Sequence, residues 1–145
     1  MAITHPIPSA AVLAPQTETR VLQTTHTTLR ILFGVVPIVA GADKFTHFLA
    51  QWETYLNPLV LRVVPVSAST FMQIVGVIEI VAGVLVLVKP RLGGFVVMAW
   101  LLAIAAQLLV WGRFLDIAVR DIVIALSGAL VLARLTPLVT AASRK

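Results

Sequence analysis

The sequence predicts an all-α fold: an integral-membrane bundle of four helices running up and down, with the N- and C-termini cytoplasmic. Three observations predict it. Four apolar stretches are each about 20 residues long, the length an α-helix needs to cross the hydrocarbon core of a bilayer. Only 12% of the 145 residues are charged, against about 25% in soluble domains, and the mean hydropathy is +1.01. Prolines, glycines and basic residues gather between the stretches, where helices stop and start.

Composition also excludes function classes. The absence of cysteine rules out disulfides, thiolate metal sites and thiol chemistry by the chain itself. The net charge of +5 reads as cytoplasmic flanking charge beside membrane spans rather than as a nucleic-acid surface. No phosphate loop, metal-ligand cluster, flavin or nicotinamide fingerprint, or nucleophile triad is present in the sequence.

Residues 1–24 carry Pro6, Pro8 and Pro15 and then a polar run. No basic stretch precedes an apolar core of signal-peptide length, so this segment is expected to be an uncleaved, disordered cytoplasmic tail. The first span covers about 25–48. Helical spacing puts Arg30, Gly34, Pro37, Gly41 and Lys44 on one face, and small residues on one stripe mark a close helix contact. Pro37 suggests a kink. Residues 51–68 form a short interfacial segment between spans one and two, with Trp52 and Tyr55 as belt residues and Ser67 or Ser69 as the following cap.

The second span, about 69–88, holds a single ionisable residue, Glu79, near its middle. A charge at that depth costs roughly 2.5–3.5 kcal/mol on insertion scales. Met72, Gly76 and Gly83 share its face, so Glu79 is expected to point at other helices. The third span covers about 92–111 and the fourth about 115–135, followed by a short cytoplasmic tail over 138–145. The four-span domain as a whole covers 25–137.

With the N-terminus in the cytoplasm, Arg20, Arg30, Lys89, Arg91, Arg134, Arg144 and Lys145 lie inside, and Lys44, Arg62, Arg113 and Arg120 outside, the asymmetry of the positive-inside rule. The polar residues of the spans then collect in the outer half: Asp43, Lys44, Gln73, Gln107, Arg113, Asp116, Arg120 and Asp121, above Glu79. A one-sided layer suggests a pocket open toward the outside or toward lipid. Asp116 and Arg120 have the favourable acid-before-base spacing. Matching charges within the layer leaves Glu79 without a cation, and burial then favours its neutral, protonated form. Glu79, Lys44, Arg120, Asp121, Asp116, Gln73 and Gln107 are therefore the candidates for ligand binding or proton exchange. An ion-pair network that only orients helix ends is the competing reading. His26 and His47 sit near opposite ends of one span and cannot share a haem iron. Trp100 reads as core.

Gly41-Ala-Asp-Lys44, Gly76-Val-Ile-Glu79-Ile-Val-Ala-Gly83 and the last helix from Arg120-Asp121 to Leu135 resemble, in order and spacing, the DoxX-like family of small four-helix membrane proteins. The resemblance covers about residues 28–136. It implies a bacterial inner-membrane protein: a quinone-facing or accessory subunit of a membrane oxidoreductase system, with a diffusible quinone or a partner subunit's group as the only redox cofactor. A small proton-coupled transporter and a structural anchor for a soluble partner remain open beside it, and the lipid-facing surface leaves room for self-association.

Overall fold

In the computed structural model, which describes residues 10–143 and their side chains from Gln16, the chain is helical throughout, with no strand among the described residues. Helix α1 spans Ala10–Thr46, the short α2 spans Pro58–Val63, α3 spans Ala68–Val88 and α4 spans Pro90–Trp111. Helix α5 (Leu115–Ile124) passes through a π-helical turn (Ala125–Ala129) into α6 (Leu130–Ala142), and these three act as one continuous helix. Four helices are long and apolar enough to cross a membrane: Gln16–Thr46, Ala68–Val88, Pro90–Trp111 and Leu115–Ala142. Large apolar side chains such as Val35, Val39, Val77, Val81, Val110, Val119 and Val123 remain exposed on their outer faces. Such a surface suits lipid and not water.

Two boundaries differ from the sequence expectation. Helix α1 begins at Ala10, so 10–24 is helix and not a disordered tail; residues 1–9 lie outside the described residues. The polar run is built from Gln, Glu, Arg, Leu and Thr, mostly good helix formers, and it extends a helix already nucleated by the apolar part. At the other end α6 continues through Pro137 to Ala142, where a stop near 135 was expected. Hydroxyls of Thr136 and Thr140 bond the carbonyls of Leu132 and Thr136, at 2.8 and 2.9 Å, around the proline. Helix α1 likewise passes Pro37 without a break.

The helices meet through small residues. Gly34 of α1 lies against Gly83 of α3, and Gly41 against Gly76, so the two helices run in opposite directions. A methyl group built on Gly76 would come within 2.6 Å of the Gly41 carbonyl oxygen, and one on Gly41 within 2.5 Å of the Gly76 carbonyl oxygen. Backbones this close have no room for any side chain, which is the packing that small residues allow in a membrane. Arg30 closes the far end of the seam by donating from its guanidinium to the Leu87 carbonyl.

On the opposite side α4 packs on the fourth span. Gly94 faces the Ala129 carbonyl and Ala133. The Phe33 ring of α1 fills the space that Gly128 leaves in the π turn, and the His26 ring is paired with the Thr136 hydroxyl at 3.1 Å. Ala82, Val86, Val97, Ala129 and Leu132 form the core at this end, and Ala105, Leu108 and Ala118 a second cluster toward the other. The α4–α5 turn uses Gly112 at φ +70°, where its amide bonds the carbonyls of Leu108 and Leu109.

The α1–α3 seam predicts a sharp contrast. Gly76→Ala should lower stability by about 1–3 kcal/mol through overpacking, whereas Val77→Ala, on the exposed side of the same turn, should cost well under that. Thermal unfolding of both variants in detergent, followed by intrinsic fluorescence, checks the difference.

Candidate functional site

The site is built outward from Asp43 and Lys44, at the end of α1. Asp43 is 5% exposed and folds the chain back over the bundle. Its carboxylate accepts from the amides of Phe48, Leu49 and Ala50 and from the Thr46 hydroxyl. The Trp52 indole N–H completes the set at 2.8 Å. His47, at φ +56°, makes the turn that lets these amides converge. This set of donors holds Trp52 beside the next residue of α1.

That residue, Lys44, is 3% exposed. Its side chain passes over Gly76, where an added Cβ would crowd the Lys44 Cβ at 3.2 Å. The ammonium then reaches the Glu79 Oε2 at 2.5 Å. It also lies 3.8 Å from the centre of the Trp52 ring and 3.4 Å from the Ala40 carbonyl. On the other side of the pair, the Trp100 indole N–H donates to Glu79 Oε1 at 3.4 Å. Lys44 and Glu79 therefore form a buried ion pair between two tryptophans. This corrects the expectation that Glu79 lacks a cation: Asp43 is neutralised by amide, hydroxyl and indole donors, not by Lys44, and Lys44 is left for Glu79. It also corrects the reading of Trp100 as core alone.

Above the pair lies a cavity of about 620 Å³. Lys44, Glu79, Trp52, Trp100, Arg120 and Asp121 border it, with apolar walls from Leu49, Leu56, Phe71, Met72, Ile104 and Leu108. The loop between α1 and α3 covers it. Gln107 of α4 fastens that cover: its amide NH₂ donates to the Tyr55 carbonyl at 3.0 Å, and its side-chain oxygen accepts from the Asn57 amide at 3.1 Å. Asn57 in turn caps α2, accepting from the Leu59 amide. The Tyr55 ring stacks edge-on against Phe114, 5.0 Å between centroids.

The candidates from sequence thus separate. Lys44, Glu79, Gln107, Arg120 and Asp121 border one cavity. Gln73 is exposed on α3 and Asp116 exposed on α5, and neither borders it. The fourth span turns the small residues Ala118 and Ala125 against the bundle; Asp121 belongs to that stripe and Asp116 does not. Arg120 accordingly lies 3.9 Å from Asp121, and no ion pair joins it to Asp116. Gln107 has its polar atoms committed to the loop. Trp52, Trp100 and Asn57 were outside the candidate set, although each bears a polar group next to the Lys44–Glu79 level or its cover. Among the described residues no group of His, Asp and Glu is arranged to hold a metal ion.

No protein-family model, curated protein or solved structure matches the chain.

Two measurements follow from the geometry. Lys44→Met or Glu79→Met alone strands a buried charge and should cost about 3–5 kcal/mol. The double variant should be less destabilised than the sum of the two, as a double-mutant cycle in detergent would register. At the surface, Glu53 pairs with the His47 ring at 2.9 Å. Its own peptide N–H, and then His47, hold the carboxyl below the ordinary range against a smaller opposing effect of burial. The folded-state value lies below the unfolded one, so this contact stabilises above the unfolded value of about 4.3. The contribution is lost as pH falls through the folded value. Glu53→Gln should therefore narrow the gap in thermal midpoint between pH 7 and pH 3 relative to the parent chain.

Proposed function

We propose that the chain is a DoxX-like inner-membrane protein whose cavity receives the headgroup of a lipid-soluble quinone, as a quinone-facing or accessory subunit of a membrane oxidoreductase system. The observation that carries this reading is the cavity itself. It is a largely apolar space of about 620 Å³, walled by tryptophan, phenylalanine and leucine, with an ion pair at one end. That volume is in the range of small-molecule sites. A flat ring with polar oxygens finds stacking surface on Trp52 and Trp100 and polar partners beside Glu79, Asp121 and Arg120. The apolar outward faces of the four helices support lipid as the source of the ligand. The excess of Arg and Lys at the Arg30, Lys89, Arg91 and Arg134 end supports a cytoplasmic side for both termini by the positive-inside rule. The cavity then opens in the outer half of the membrane. On this reading a partner subunit supplies the electrons.

The test is organic extraction of the protein purified from its native membrane, with quinone quantified per chain. Near-stoichiometric quinone is expected. Trp100→Phe, which keeps an apolar ring and removes the indole N–H, should retain the fold and lower recovery several-fold. Recovery no higher than that from an unrelated four-span protein purified in the same detergent would overturn the reading.

A further inference from the structure

The polar groups around the cavity differ in what they still have to offer. Lys44 has three N–H bonds, and three partners take them: Glu79 Oε2, the Ala40 carbonyl and the Trp52 ring face. The Trp52 indole N–H is given to Asp43. Gln107 is held by Tyr55 and Asn57. The Trp100 N–H is directed at Glu79. The donors deep in the cavity are thus in use.

The acceptors are not. Asp121 is 8% exposed and borders the cavity beside Glu79, and its one opposite-charge contact among the described residues is Arg120, at 3.9 Å. That distance is beyond hydrogen-bond range. No side-chain oxygen is sealed away without a partner among the described residues, so the Asp121 oxygens open onto the cavity. Glu79 Oε1 has only the long 3.4 Å contact from Trp100. An ionised carboxylate accepts and does not donate.

We infer that the cavity selects a ligand whose ring carries hydrogen-bond donors and that, on the quinone reading above, it binds the reduced hydroquinone in preference to the quinone, through an O–H donated to Asp121. The discrimination follows from valence. A quinone carbonyl and a hydroquinone hydroxyl both accept, so the Arg120 guanidinium at the rim, with its side chain 63% exposed, serves either form. Only the hydroquinone donates. A quinone placed against the ionised Asp121 carboxylate, which has no proton to donate, sets oxygen against oxygen and leaves a buried acceptor unpaired, which costs enough to separate the two forms by about tenfold or more.

The experiment uses the full chain in detergent, a short-chain 1,4-benzoquinone and its two-electron-reduced hydroquinone, with equilibrium dialysis under anaerobic conditions. The hydroquinone should bind at least about tenfold more tightly. The midpoint potential of the bound couple should then lie about 30 mV or more above that of the free couple, by the two-electron relation. In Asp121→Asn the new amide can donate to a carbonyl, and the preference should fall to near unity. Equal affinities in the parent chain, or tighter quinone binding, overturn the inference while leaving the quinone reading standing. An undiminished preference in Asp121→Asn overturns the assignment to Asp121. Binding of neither form overturns the quinone reading and this inference with it. The parent-chain comparison decides the matter even where the variant fails to fold.

Discussion

The contact on which the rest of the molecule depends is the glycine-to-glycine approach of α1 and α3. In a bilayer there is little hydrophobic drive between helices, so closeness must come from shape. Gly34 with Gly83 and Gly41 with Gly76 bring backbone against backbone at two points of the seam. One turn beyond Gly41 is Lys44, and one turn beyond Gly76 is Glu79. Because the helices are antiparallel, these two long side chains approach each other along the seam and meet across it. The glycines thus do two things: they set the distance between the helices, and they open the path that the Lys44 side chain follows over Gly76. The ion pair costs desolvation for both charges, and it is tolerable because Trp52, Trp100 and the Ala40 carbonyl complete its surroundings.

Asp43 plays the complementary part. A carboxylate can be satisfied by amides as well as by a cation, and Asp43 collects its donors from the loop that follows it. The loop is thereby drawn back over the end of α1, and Trp52 is set against Lys44. On the α4 side Gln107 does the same for Tyr55 and Asn57. The cover of the cavity is fastened at two points by polar side chains from two different helices, and the apolar residues between those points become its roof.

Much of this was legible in the sequence. Length and apolarity gave the four spans, and helical spacing gave the glycine stripe and the inward direction of Glu79. What was not legible was partner choice. From the sequence, charges are matched by count within the layer, three cations against three aspartates, and by spacing for Asp116 with Arg120. Three-dimensional matching depends on which donors a loop brings round, and no periodicity in the sequence reports that. Asp121 rather than Asp116 faces inward because the fourth span seats its alanines, a choice visible only once the neighbouring surface of α4 is known. Trp100 sits at the level of Glu79, but span length alone does not fix the vertical offset of two helices. The extent of α1 was missed for a different reason: three prolines and a polar run suggest a tail, while the residues from 16 onward are mostly compatible with helix.

The pairing of charges in the cavity bears on energetics of another kind. Lys44 with Glu79, and Arg120 with Asp121, sum to zero. A membrane voltage acts on net charge moved through the field, at about 2.3 kcal/mol per elementary charge per 100 mV. An uncharged guest that arrives from lipid, displaces no counter-ion and leaves the same way carries nothing for the field to pull on. On the proposed quinone reading, occupancy of the cavity is electrically silent, set by the composition of the membrane and not by whether the membrane is energised.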